Sequence, residues 1–251
     1  MALKTVDYTE RPDLWKRIPE LFEGVWPEYN LHGDVIPGYW DRLHEIFGNY
    51  QLVLHDPDTD DVLATARGIP CQWDGSQESL GPGLDAAIVA GFAEHDAGIA
   101  PNTLCALGIE VAPRHQGRKL ATTMLEALRA TARAAGFGHV IVPLRPTWKD
   151  RYPLVPIDRY ASWTREDGAA FDPWIRTHLR GGGVVAAAIP ESSLITGTIA
   201  EWESWTGMSF PETGDYVFPH GLATVRIDRE AEMGTYWEPN VWIVHESGLS
   251  R

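Results

Sequence analysis

The alternation of apolar and polar positions divides the chain into segments of helical and of strand period. After a short first strand, residues 12–24 carry Leu14, Ile18, Leu21 and Phe22 at helical spacing, and residues 38–48 carry Trp40, Leu43, Ile46 and Phe47 in the same way. Residues 51–55 and 62–69 read as strands, and the turn-forming run from Asp56 to Asp61 between them predicts a β-hairpin. Leu84, Ile88, Val89 and Phe92 predict a helix over 83–97. Thr103–Val111 alternates as a strand, with Cys105, Leu107, Ile109 and Val111 on one face and Ala106, Gly108 and Glu110 on the other. The best amphipathic helix covers 117–135, where Ala121, Met124, Leu125, Leu128, Ala132 and Ala135 form one stripe and Gly136 is the stop. His139–Leu144 follows as a buried strand, completing a strand–helix–strand unit whose two strands are expected to be neighbours and near parallel.

Beyond Pro146 the pattern weakens to a Trp- and Tyr-rich loop region ending near 168, a helix around 172–180, an apolar strand at 184–189, a helix around 197–206, and strands near 215–228 and 235–245. No linker or break in composition divides the chain. One α/β domain over 1–251 is therefore expected, with 146–251 as an elaborated C-terminal part.

Composition sharpens this outline. The 251 residues include 35 Asp and Glu against 21 Lys and Arg, a formal charge of −14, which repels phosphate backbones and excludes nucleic acid as a main partner. A cationic ligand is electrostatically permitted. Cys71 and Cys105 lie in apolar stretches without a second Cys or His at ligand spacing, so they read as buried thiols in a reducing compartment and no metal site is expected. The N-terminus lacks a basic stretch followed by an apolar core, and nowhere do about 18 apolar residues run together, so a cytoplasmic protein without a membrane partner is expected. Strand edges near the C-terminus leave a homodimer possible.

The chemistry concentrates in residues 109–124, a strand that exits at Pro113 and passes through a basic loop into the best helix. Arg114, His115, Arg118 and Lys119 crowd that helix N-terminus inside an otherwise acidic chain. The helix dipole disfavours cations there by about 0.3–1 kcal/mol each. A polyphosphate would remove that penalty by accepting the free N–H groups and pairing with the side chains. A solvated loop paired with nearby acids is the plainer alternative.

The segment Gln116-Gly117-Arg118-Lys119-Leu120-Ala121 resembles the acyl-CoA-binding stretch of the GCN5-related N-acetyltransferases (GNAT), which reads Gln/Arg-x-x-Gly-x-Gly/Ala between a strand and a helix. Gln116 and Ala121 match, whereas Lys119 stands where the pattern has its middle glycine, adding charge or narrowing the site. The resemblance covers about 103–145, and the upstream helices and hairpin come in the family's order. It implies a mixed, mostly antiparallel central sheet flanked by helices, with a C-terminal elaboration. It also implies that the fourth and fifth strands splay apart, so that backbone near Ile109 and Val111 meets the pantetheine arm and Gln116, Gly117, Arg118, Lys119, Leu120, Ala121 and Thr122 hold the pyrophosphate. The implied activity is direct transfer of acetyl from acetyl-CoA to the amine of a small molecule, with no metal. A non-catalytic CoA-binding module of the same fold is the second reading, and a loop for another phosphate ligand, or none, the third.

Direct transfer needs a base for the amine and an acid for the departing thiolate. Glu110, flanked by Ile109 and Val111, is an ionisable group in the apolar setting that makes a carboxylate a base. Pairing with the basic loop is its plainer role. His178 lies four residues before Gly182, where the family often places a Tyr acid that is absent here; imidazolium would protonate a thiolate. For the acceptor pocket the candidates are Trp26, Tyr29 and Trp40 in the early helical region and Tyr160 in the insertion after the fifth strand, as stacking surfaces for an aromatic or cationic amine.

Overall fold

The computed structural model describes residues 2–248; the remaining residues of the expected 1–251 unit lie outside the described part. Strand β1 (Lys4–Asp7) leads into four short helices, α1 (Pro12–Trp15), α2 (Ile18–Leu21), α3 (Pro37–Trp40) and α4 (Leu43–Phe47). Two helices were expected here, and each is split in two. Pro19 cannot donate the backbone hydrogen bond that would carry α1 through α2, and the chain leaves helix again between Trp40 and Leu43.

The hairpin forms as expected from β2 (Gln51–Asp56) and β3 (Asp61–Cys71), followed by α5 (Leu84–Asp96), β4 (Thr103–Val111), α6 (Leu120–Ala134) and β5 (His139–Leu144). The Trp- and Tyr-rich insertion contains α7 (Ile157–Ala161) and is followed by α8 (Pro173–Arg180). Then come β6 (Val184–Thr198), α9 (Ile199–Thr206), β7 (Gly214–Tyr216), β8 (Val225–Asp228) and β9 (Met233–Glu246). The single strand expected near 215–228 is two, because Pro219-His220-Gly221 turns the chain between them.

All nine strands join one sheet in the order β1-β2-β3-β4-β5-β9-β8-β7, with β6 on β9. Every pairing is antiparallel except β4 with β5. Helix α6 lays Leu120, Met124, Leu128 and Ala132 against Ala64, Ala66, Leu104, Val140 and Val142. Burying such aliphatic side chains contributes about 1.5–3 kcal/mol each. On the opposite face α4 and α5 pack Leu43, Phe47, Ile88 and Phe92 over Ile69, Cys105, Leu107 and Ile141. No helix among the described residues is long and apolar enough to cross a membrane.

One irregularity decides which side chains reach the site. The register of β3 and β4 shifts between Arg67 and Gly68, so that Arg67 faces Gly108 while Gly68 faces Ala106 and Leu107 is the extra residue of a bulge. Strict alternation across β4 therefore fails. Cys105 and Leu107 pack on the α5 face as expected, but Ile109 and Val111 pack with Ala106 on the α6 face, and Glu110 points with Thr65 to the other side.

Candidate active site

Strands β4 and β5 are paired only at Thr103–Cys105 with His139–Ile141. Beyond that they part, and the edge of β4 from Ala106 to Val111 that faces β5 has no partner strand among the described residues. The chain then makes a short 3-10 turn at Pro113–His115 and enters α6. Gly117 has φ 78° and Lys119 φ 61°, both left-handed. The second explains why the family pattern favours glycine at this position: the backbone is held there in a conformation that costs an L-residue roughly 1–2 kcal/mol. Helix α6 has no side-chain cap. The amides from Gly117 to Ala121 find no acceptor among the described residues, so the loop presents a row of free N–H donors as an anion site requires.

The basic side chains of this loop divide into two groups. Arg114 and His115 are taken up by Asp61 at the start of β3, the latter at 3.0 Å. Arg118 touches only the His115 ring, Nη1 to Nδ1 at 3.0 Å, and Arg118 and Lys119 are exposed and make no ion pair among the described residues. The donor set of free amides with two uncommitted cations fits the pyrophosphate of coenzyme A. The plainer alternative of acid pairing holds for half of the loop only.

Glu110 lies at the mouth of the splay, 8% exposed. It does not pair with the basic loop. Its Oε1 accepts from the Trp26 indole N–H at 2.6 Å and its Oε2 from the Thr65 hydroxyl at 2.9 Å, directly across the β3–β4 ladder. Beside it Arg67 stands between two indoles, its guanidinium carbon 4.9 Å from the Trp15 ring centre and 4.6 Å from that of Trp40. Gly108, opposite Arg67, leaves open floor: a side chain there would meet only the Trp40 ring, at 3.7 Å. The early helices thus fold back over β3 and β4 and supply Trp15, Trp26 and Trp40 as a lid above Thr65, Arg67, Gly108 and Glu110. The two clefts of about 420 and 450 Å³ lie elsewhere, beside Ala187–Ile189 and beside His44–Tyr50. Neither is lined by Glu110, whose two oxygens are taken up by the Trp26 indole and the Thr65 hydroxyl.

Of the sequence candidates, Trp26 meets Glu110 and Trp40 lies over Arg67 and Gly108, whereas three others are held elsewhere. Tyr29 is 1% exposed in a C-terminal aromatic cluster with Trp202, Phe218 and Tyr236. Its hydroxyl donates to the His220 carbonyl and accepts from Arg145. Tyr160, equally buried, donates to Asp172, the residue that caps α8, and packs with Tyr152, Trp163 and Phe171. Both are core. His178 is fully buried in α8 and hydrogen-bonds His245 on β9 at 2.9 Å, level with Val140 at the closed end of the splay. Burial, and then the neighbouring His245, push its pKa down to about 3, so at neutral pH it holds no proton to give a thiolate.

Sequence reasoning missed Trp15, Thr65 and Arg67. The available signal was a lone arginine in the apolar strand Ala64-Thr65-Ala66-Arg67-Gly68-Ile69, on the same face as Thr65. Among the described residues no group of three His, Cys, Asp or Glu side chains is placed to hold a metal.

A row of free amides beside a splayed strand pair is the arrangement that the resemblance to the acetyltransferases implies for coenzyme A. The model of the acetyltransferase (GNAT) family matches residues 15–151. An arginine N-acetyltransferase of Aspergillus versicolor is 32% identical over 94% of this chain and 91% of its own length. The loading GNATL domain of CurA from Lyngbya majuscula shares the fold at TM-score 0.61 and 13% identity, over 98% of both chains. A GNAT-like decarboxylase, GphF, in complex with isobutyryl-CoA does so at 0.59 and 15%, over 98% of this chain and 100% of that one. The chain belongs to the acetyltransferase (GNAT) family and is an N-acetyltransferase.

Proposed function

We propose that the acceptor is a small cationic amine of the arginine class and that Glu110 is the base. The observation that carries this is Glu110 itself, a buried carboxylate held by the Trp26 indole and the Thr65 hydroxyl on the unpaired stretch of β4, seven residues before the free amides begin. Acetyl-CoA, when bound, supplies the thioester whose acetyl group moves to the acceptor nitrogen. On this reading the backbone at Ile109 and Val111 and the loop Gln116–Thr122 position it, Gly117 to Ala121 through their N–H groups and Arg118 and Lys119 through charge. Glu110 takes one proton of the acceptor ammonium at Oε1, in place of the Trp26 N–H, while Thr65 keeps Oε2 oriented. The C–N bond forms as the C–S bond breaks, and the second proton shed by the attacking nitrogen leaves with the coenzyme A sulfur as the free thiol. Trp26 and Trp40 exclude water and offer ring faces to a cation.

The acidic surface and the arginine N-acetyltransferase relative both favour a cationic acceptor. The test is release of free thiol from acetyl-CoA with L-arginine, agmatine and tyramine as acceptors. Turnover with the two guanidine-bearing amines well above that with tyramine is expected. Preference for tyramine, or no thiol with any amine despite CoA binding, would overturn the reading.

A further inference from the structure

Arg67 is 9% exposed and, among the described residues, donates a hydrogen bond to no acceptor. Its Nε is buried without a partner. Two carboxylates face it, Glu110 and Asp41, and neither forms an ion pair with it. The indoles on either side stabilise the cation through their ring faces but accept none of its five N–H groups. Burying a charge without a hydrogen-bonding counter-charge is costly, and such groups persist where a ligand completes them. The floor next to Arg67 is the bare backbone of Gly108, and two residue pairs along the ladder is Thr65 with Glu110. An anion acceptor and a cation acceptor therefore stand side by side on one face, separated by a single same-face step of the strand.

We propose that Arg67 is the anchor for a carboxylate on the acceptor, so that the substrate is an α-amino acid bound as a zwitterion, its carboxylate on the Arg67 guanidinium and its amino group at Glu110. This deepens the acceptor assignment above and rests on it. A planar guanidinium packed against two indole rings with its N–H groups unused suits a bidentate carboxylate, which fixes the amine two bonds away. Arg67 does not enter the proton transfer. It is a positioning residue, and its loss acts on acceptor binding more than on turnover.

The experiment compares L-arginine with agmatine, which has the same chain, guanidinium and amine and lacks only the carboxylate. In the wild-type enzyme kcat/KM is expected to favour L-arginine by on the order of 10²-fold, the worth of a charge-assisted bidentate pair. Arg67→Met should bring the two acceptors within about threefold, by raising KM for L-arginine much more than KM for agmatine and more than it lowers kcat for either. Arg67→Lys, which keeps the charge without the fork, should restore part of the preference. Equal use of both acceptors by the wild type, or a parallel fall for both in Arg67→Met, overturns the proposal and leaves Arg67 as a brace for Trp15 and Trp40. Equilibrium titration of the wild type, read by tryptophan emission, needs no turnover. Selective binding of L-arginine without acetyl transfer would remove the transfer reading and keep the anchor. Transfer to agmatine without selectivity, or no selective binding, removes the anchor.

Discussion

Arg145 and Arg67 both bring a guanidinium into the protein interior, and the protein treats them in opposite ways. Arg145, just after β5, donates to Glu238, to the Tyr29 hydroxyl at 2.9 Å and to the His220 carbonyl at 2.9 Å, while Tyr236 donates to the other oxygen of Glu238. Burial opposes its charge, but Glu238 and the two phenols more than offset that, and its pKa is raised. Arg67 has indole faces and no acceptor, and burial lowers its pKa against the weaker pull of Glu110 and Asp41. A buried charge whose donors are all used holds structure together; one whose donors are idle is waiting for something else. The same contrast separates Arg114 from Arg118 in the loop before α6, and it gives each centre a different failure when it is altered.

The largest effect is expected on the side of the site. Glu110→Gln keeps the hydrogen bond to Thr65 but cannot accept a proton, and it should lower kcat at neutral pH by about 10²–10⁴-fold with CoA affinity unchanged in calorimetric titration. Equal loss of both, or neither, removes Glu110 from the base role. His178→Gln is the control and should hold kcat within about threefold, against the 10²–10⁴-fold cost of a lost general acid. It should act on acid stability instead. With the folded pKa near 3 and the ordinary value at 6.5, the unfolded chain takes up the proton first. The contribution of His178 is therefore whole above about pH 6.5 and is lost as the pH falls towards 3, by at most about 1.4 kcal/mol per pH unit. Removing the titrating group flattens that limb of the unfolding curve.

Next comes stability, where the two arginines should exchange rank. Arg145→Met strands Glu238, whose side chain is 5% exposed, as a buried carboxylate without its cation. Denaturant unfolding should show a loss of about 3–5 kcal/mol. Arg67→Met gives up its stacking on two indoles but also removes a poorly compensated charge, and the net change should lie within about 1 kcal/mol. If Arg67→Met destabilises as much as Arg145→Met, idle donors do not mark a site in this protein.

The elements that place the site were legible from periodicity, since β4, α6 and β5 each repeat cleanly and the loop between β4 and α6 carries its own pattern. The face of Glu110 was legible only in part. A single bulge at Leu107 reversed the side on which Ile109 and Val111 pack, and nothing in the residue types demands a bulge beyond the small Gly108 that follows. Trp26 and Trp40 could be suspected as aromatics in the early helical region, but the meeting of Trp26 with Glu110 and of Trp40 with Arg67 depends on how a lid of short helices folds back onto the sheet. That is a tertiary choice invisible to local spacing. His178 shows the opposite error: its distance from Gly182 matched a family position, while the Trp174 and Ile175 stripe turned its side of α8 towards β9 and His245 rather than the open end of the splay.

The smallest effect belongs to the loop, and it tests whether the contrast between engaged and idle cations extends to the surface. Arg114 and His115 already hold Asp61, so Arg114→Ala removes a contact within the protein and should change CoA affinity by less than about twofold. Arg118 and Lys119 have no acid to release. Replacing either with Ala should weaken CoA binding by on the order of tenfold, the share of one charge-assisted contact to a phosphate, and the loss should shrink as salt screens the exposed pair. Lys119→Gly separates the two demands on that position. Glycine relieves the left-handed backbone at φ 61° while removing the charge, so the variant should unfold at a slightly higher denaturant concentration and still bind CoA as weakly as Lys119→Ala. Tighter binding by Lys119→Gly than by the wild type would mean that the side chain narrows the phosphate site rather than charging it, and Arg118 would then be the one idle cation that the loop keeps for its ligand.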